Sequence, residues 1–153
     1  MTLSALCDGR IACDLSAMTT LTTQNFTAFL GTRDREAAKR FYRDTLGFTL
    51  IGDDPFALIF ALHNGTLRIS PVPNFTPHQF TALGWDVPDI AATVKELVEA
   101  GVKFERFPGM EQDELGIWAA PGGPGGAEIH ARARVAWFKD PDGNVLGVTQ
   151  LPK

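Results

Sequence analysis

The sequence predicts an α+β fold made of a duplicated β-α-β-β-β unit. The first observation is a phrase stated twice: TRDREAAKRFYRDTLGF from Thr32 to Phe48 and VPDIAATVKELVEAGVKF from Val87 to Phe104, fifty-five residues apart. Each copy reads as a strand end, an Asp, about three helical turns, a Gly and another strand. The second observation is that short apolar runs separated by turn residues follow each copy, as β-hairpins do. Self-similarity at a fixed period marks a repeated supersecondary unit.

In the first unit, Asn25 to Thr32 reads as a strand. Asp34 is the helix N-cap with Glu36 in the first turn, and Phe41, Tyr42 and Leu46 form the apolar stripe. Gly47 ends the helix. Phe48 to Gly52, Phe56 to Leu62 and Thr66 to Ser70 are then three strands. Asp53-Asp54-Pro55 separates the first two, and His63-Asn64-Gly65 predicts a type I′ hairpin turn between the last two.

Pro71, Pro73 and Pro77 make an extended linker before the second unit. Phe80 to Val87 is a strand, Asp89 caps the next helix, and Ile90, Val94, Leu97 and Val98 define its buried face. After Gly101, a strand is predicted over Lys103 to Phe107. Val135 to Lys139 and Val145 to Gln150 form a hairpin closed by Asp140-Pro141-Asp142-Gly143-Asn144. An insertion between Phe107 and Arg134 holds Glu111 to Trp118 and the run Gly122-Gly123-Pro124-Gly125-Gly126. Such loops are usually lids or mobile segments. As a phosphate cradle GGPGG is weak, because Pro124 removes a donor and no Gly-Lys-Ser/Thr follows.

At 153 residues and 44% hydrophobic, the chain suits one domain or two small halves sharing a core. Fourteen basic and eighteen acidic residues give a net charge of −4 without long runs of either sign, which argues against nucleic acid. No span of about eighteen apolar residues predicts a membrane helix, and no secretory signal is evident, so the expected compartment is the cytoplasm. Cys7 and Cys13 lie before the first repeat, and a CxxxxxC pair without further Cys or His nearby is not a zinc site. Residues 1–24 are expected to be a loosely ordered extension, with Met18 a candidate start.

The stretch DREAAKRFYRDTLGF from Asp34 to Phe48, together with WFKDPDGN from Trp137 to Asn144, resembles the vicinal oxygen chelate superfamily. Its members include glyoxalase I, extradiol dioxygenases, methylmalonyl-CoA epimerase, and the bleomycin and fosfomycin resistance proteins. The resemblance spans about Asn25 to Gln150. It implies two tandem βαβββ modules whose eight strands curl into one open, barrel-like sheet with helices outside and the active site on the concave face. On this chain the domain runs over 25–153. Module one is 25–71, the linker 72–78, and module two 79–150, with the inserted loop at 108–133. Dimers are common in the family, so a homodimer is expected.

In metal-dependent relatives, the first and last strands of each module supply His, Gln or Glu ligands to a divalent ion acting as Lewis acid. Carried onto this chain, those positions are Thr27, Arg68, Ala82 and Gly147. Ala82 and Gly147 have no donor side chain, Thr27 is a poor ligand, and a guanidinium repels a dication. No metal is therefore expected there, and glyoxalase, epimerase or dioxygenase chemistry loses its basis. What survives is the cavity. Strand alternation extends its lining from Thr27, Arg68, Ala82 and Gly147 to Phe29, Gly31, Thr66, Ser70, Gly84, Asp86, Val145 and Thr149.

Arg68 amid apolar walls suits a carboxylate or phosphate, or it pairs with Asp86 and only ties the modules together. Trp118, in the insertion, is the aromatic best placed to stack on a ligand. Trp85 faces the helix layer, and Trp137 stays open between the two. The expectation is a metal-free binding protein, glyoxalase-like or bleomycin-resistance-like, with no cofactor. It would hold a small, partly aromatic or anionic molecule against Thr27, Phe29, Arg68, Ser70, Ala82, Asp86, Trp118, Gly147 and Thr149. The alternative is a metal-dependent lyase, isomerase or dioxygenase whose Zn, Ni, Mn or Fe has moved to His78, His130 and Glu114. Nothing in their spacing selects such a site, and ordinary surface histidines explain these residues better, His63 in its tight turn included. Asp113 and Glu114 are candidate acid/base groups, or simply solvated.

Overall fold

The computed structural model describes residues 20–121 and 132–153. A single turn of 3-10 helix at Thr20–Thr23 leads into β1 (Phe26–Thr32), α1 (Arg35–Arg40), β2 (Leu50–Asp54), β3 (Ala57–Leu62) and β4 (Gly65–Pro71). The second module follows as β5 (Thr81–Asp86), α2 (Ile90–Glu99), β6 (Trp118–Ala119), β7 (Arg134–Lys139) and β8 (Val145–Gln150). The strands form two mixed four-stranded sheets, ordered β1-β4-β3-β2 and β5-β8-β7-β6, and neither closes into a barrel. The α+β class and the tandem βαβββ duplication are thus both present.

Both helices begin as local chemistry dictates. Asp34 accepts from the Ala37 amide at 2.9 Å and Asp89 from the Ala92 amide at 3.0 Å, each satisfying one of the otherwise orphaned first-turn donors. Gly47 and Gly101, at φ of 73° and 101°, end the two helical segments. α1 widens into a π turn over Phe41–Thr45, where the Leu46 amide bonds back to the Phe41 carbonyl at 2.9 Å. On α2, Ile90 and Val94 are fully buried, each worth about 1.5–3 kcal/mol of burial. Val98 is not part of that face: it is 51% exposed, because Ile90, Val94 and the partly buried Leu97 already cover the sheet.

Two further expectations change. Neither His63 nor Asn64 has positive φ, so their turn is not type I′. Gly65 instead answers a close approach: a Cβ there would lie 2.1 Å from the Phe26 carbonyl oxygen of the neighbouring β1. The strand predicted over Lys103 to Phe107 shrinks to a bridge between Phe104 and Phe138, with the Glu105 amide donating to the Trp137 carbonyl at 2.7 Å. The other half of that sheet edge is Trp118–Ala119 paired with Val135 and Arg134. Between them the insertion loops out and is tied by one side chain. Gln112 accepts from the Phe107 amide at 2.8 Å and donates to the Glu105 and Gly116 carbonyls at 3.0 and 2.7 Å. Asp113 accepts from the Leu115 and Ile117 amides. That carboxylate is a loop former.

One apolar cluster spans both modules. Tyr42, Phe60, Leu67 and Ile69 belong to it from module one, and Ile90, Val94, Phe138 and Leu146 from module two. Across the seam, the loop after β7 docks on the end of β1 and on α1's π turn. The Asp140 carboxylate accepts from the Tyr42 hydroxyl at 2.8 Å, from the Asn144 side chain at 2.7 Å, and from the Asp142 and Asn144 amides at 3.0 and 2.9 Å. Asp142 accepts from the Thr32 hydroxyl and, at 2.7 Å, from the Arg33 amide. Asn144 donates to the Gly31 carbonyl at 3.1 Å. Asp140, Asp142 and Asn144 are all buried, and such groups are tolerated only because each is partnered.

Candidate functional site on the faces turned away from the helices

Strand alternation gives each sheet a face packed on the helices and a face turned from them. In sheet one the packed face carries Leu30, Leu58, Phe60, Leu67 and Ile69, all buried. The opposite face carries Thr27, Phe29, Gly31, Thr66, Arg68 and Ser70, which keep solvent contact. Register sets Thr27 beside Thr66, Phe29 beside Arg68 and Gly31 beside Ser70, with Ile59 on the far side of Arg68. Thr66 donates its hydroxyl to that of Thr27 at 3.2 Å. The linker's Phe75 ring closes over Gly31, its carbons 2.7 Å from where a Cβ would stand, so only glycine admits it.

Arg68 is half-buried and, among the described residues, its side chain has no hydrogen bond or ion pair; the Asp86 side chain likewise has none. The two do not pair. Arg68 acts only at longer range: the Phe56 and Ala57 amides hold the Asp54 carboxyl below its ordinary value, and the Arg68 charge adds to them. A half-buried guanidinium flanked by Phe29 and Ile59 is free to meet an anion.

In sheet two the packed face carries Ala136, Phe138, Leu146 and Val148, and Trp85 joins that side, 5.7 Å from Phe48. On the other face Gly84 lies beside Gly147, and Gly147 beside Trp137. Trp118 and Thr149 flank Val135 on the same face. Trp137 stands 6.2 Å from Trp118 and 5.5 Å from Phe107, edge to face with the latter. Its indole N–H donates to the Thr81 hydroxyl at 3.0 Å. Three aromatics thus gather over a glycine floor. Such rings offer both stacking faces and positive edges to a flat ligand.

Ala82 is displaced from its expected role. A β-bulge between Thr81 and Leu83 leaves it unpaired, and Thr81 reaches over Gly147 instead. The sequence does not single out Thr81 or Phe107 and leaves Trp137 open, although closing the hairpin at Lys139 and Val145 pairs Trp137 with Gly147. No hydrogen bond, ion pair or ring contact among the described residues joins the Arg68 group to the Trp137 group.

The residues at the metal-ligand positions do not fit a divalent ion. Thr27's hydroxyl is engaged by Thr66, Arg68 is a cation, and Ala82 and Gly147 carry no donor side chain. His78 is exposed and stacks on Phe80 at 4.8 Å. Glu114 is exposed, its carbonyl accepting from Arg106. Among the described residues no three His, Cys, Asp or Glu side chains gather as a metal site. His130, Cys7, Cys13, Met18 and the run from Gly122 to Gly126 lie outside the described residues. No helix among those described is long and apolar enough to cross a membrane.

Comparison with known proteins agrees with this geometry. The family model for the Glyoxalase/Bleomycin resistance protein/Dioxygenase superfamily matches residues 23–148. No curated protein matches the chain. Among solved structures, a glyoxalase/bleomycin resistance protein from Streptomyces sp. CB03234 is 28% identical, with a TM-score of 0.55 over 83% of this chain and 100% of that one. TnmS3, an antibiotic binding protein from the same organism, is 27% identical, with a TM-score of 0.56 over 85% of this chain and 98% of that one. A glyoxalase/bleomycin resistance protein/dioxygenase from Alicyclobacillus acidocaldarius shares the fold at 16% identity, with a TM-score of 0.58 over 86% and 93% of the two chains.

Proposed function

This chain belongs to the Glyoxalase/Bleomycin resistance protein/Dioxygenase superfamily, and on that premise we propose that it is a metal-free binding protein for a small, partly aromatic or anionic molecule. The observation that carries the reading is the grouping of Trp118, Trp137 and Phe107 beside Gly84 and Gly147. A flat ring stacks on the indoles, and Arg68 supplies the unpaired cation for an acidic substituent. An antibiotic binding protein at 27% identity supports this direction. The working unit is a homodimer, in which a second copy covers the exposed Phe26, Phe29 and Phe80.

The test is a titration with polycyclic aromatic carboxylates and their neutral amides, read by tryptophan fluorescence, on protein purified without chelator and assayed for metal. The acids quench and bind more tightly than the amides. Arg68→Gln removes that preference, and Trp118→Ala weakens both classes about tenfold or more, which is ~1.4 kcal/mol. A stoichiometric divalent ion required for binding would overturn the reading in favour of a metal-dependent lyase, isomerase or dioxygenase. So would the absence of quenching by every aromatic at millimolar concentration. Sedimentation equilibrium decides the dimer.

A further inference from the structure

The bulge at the start of β5 does more than displace Ala82. It turns the Thr81 side chain onto the face of Gly84 and Gly147, where its methyl carbon lies 4.0 and 3.4 Å from where a Cβ on each glycine would stand. The hydroxyl of the same side chain accepts from the Trp137 indole N–H at 3.0 Å. An indole nitrogen can only donate, so the direction of this bond is fixed. A threonine hydroxyl also has a proton of its own to donate, and among the described residues nothing accepts it.

Thr81 is exposed and Trp137 half-buried, so this hydroxyl stands at the solvent edge of the aromatic group. Its chemistry favours one kind of partner. A hydroxyl that accepts a hydrogen bond is polarised and becomes a stronger donor, while its oxygen becomes a poorer acceptor for a second N–H or O–H. The rings around it are also held in place. Gln112 bonds to the Phe107 amide and to the Glu105 and Gly116 carbonyls at 2.8, 3.0 and 2.7 Å, which fixes the two ends of the loop where Phe107 and Trp118 stand. A flat ring stacked there is confined to one plane, and an oxygen on its rim meets the hydroxyl or misses it. A carbonyl conjugated to such a ring keeps its lone pairs in that plane.

We propose that Thr81 is a specificity-determining residue and that the ligand class is an aryl carbonyl: rings lie against Trp118 and Trp137, and the carbonyl oxygen accepts the Thr81 hydroxyl proton. This rests on the aromatic site proposed above and adds to it the substituent that the site reads. The oxygen need carry no charge, because the donor is a neutral hydroxyl and Arg68 makes no contact with this group among the described residues.

The experiment is an NMR titration with 1-indanone and with indane, which has the same rings and no oxygen, followed through the indole N–H resonances of Trp118 and Trp137. Both probes shift these resonances. 1-Indanone moves that of Trp137 further, because it draws on the hydroxyl to which that N–H is bonded. Thr81→Val keeps the side chain's shape and removes the hydroxyl: it weakens 1-indanone about fivefold and leaves indane within about twofold. Thr81→Ser keeps the hydroxyl and the wild-type preference. Thr81 is exposed, so neither substitution disturbs the core. If Thr81 only steadied Trp137, Thr81→Val would weaken both probes alike, and that result overturns the proposal. Unchanged binding of both probes to Thr81→Val overturns it too, and leaves the aromatic site standing. Failure of both probes to shift either resonance overturns the aromatic site and this inference together.

Discussion

The β3–β4 turn and the β7–β8 turn occupy the same place in the duplicated unit and do opposite work. His63 and Asn64 make a two-residue loop that stays exposed. Asp140 to Asn144 make a longer one whose three polar side chains are buried and tied to Tyr42, Thr32, Arg33 and Gly31 of the other module. Duplication therefore supplied two turns in equivalent places. Divergence buried one of them as a hydrogen-bonded loop and left the other exposed. The phrase DPDGN, prominent in the sequence as a family mark, serves here as the clamp between modules.

The sharpest way to break this contrast is substitution at the two turns. Asp140→Ala strands the Tyr42 hydroxyl and the Asn144 amide in the interior and destabilises by about 3 kcal/mol or more, whereas Asn64→Ala changes stability by about 0.5 kcal/mol at most. Urea unfolding of the two variants measures the difference. Equal losses would mean that the buried loop is not what holds the seam.

A second test compares backbone crowding in the two sheets. Gly65→Ala forces a methyl against the Phe26 carbonyl and costs about 2 kcal/mol, while Gly147→Ala, whose nearest neighbours are side-chain carbons at 3.4 Å, costs less than ~1 kcal/mol. Thermal melts rank them, and the reverse order would refute the close approach of β1 to β4.

The smallest effect is one of sign. Burial pushes the Asp140 carboxyl above its ordinary value, although the Asn144 and Tyr42 hydrogen bonds pull the other way. The folded protein thus keeps a proton that the unfolded chain has released. The stability from this group is full below the ordinary value of 3.8 and is lost as pH rises through the raised one. Asp53 on the surface of module one is the converse: hydrogen bonds from Lys39 and then Arg35 lower its value, so its contribution is present above 3.8 and is lost as pH falls through the lowered value. The cost of Asp140→Asn therefore shrinks as pH rises from about 3 to 6, and that of Asp53→Asn grows. Unfolding curves across that range check the two slopes, and parallel slopes would sink the assignment.

Much of the candidate site was readable by strand parity. Thr27, Phe29, Arg68 and Ser70 share a face as the alternation of β1 and β4 requires, and Trp85 turns to the helices as expected. Parity failed where a bulge interrupts it, which is why Thr81 stands where Ala82 was expected. It also failed at the inserted loop, where Trp118 rather than the run Lys103 to Phe107 supplies the named edge strand.

What the sequence by itself determined is the local grammar: two Asp caps, two Gly stops and a repeated β-α-β-β-β order, each decided by neighbours a few residues away. Tertiary structure alone decided the clamp and the aromatic trio. Tyr42 and Asp140 stand 98 residues apart in the chain, and Thr32 and Asp142 110 apart. No short-range propensity encodes such pairs. They exist because burying the shared core brings the modules together, and a buried carboxylate then requires donors that only the other module can provide.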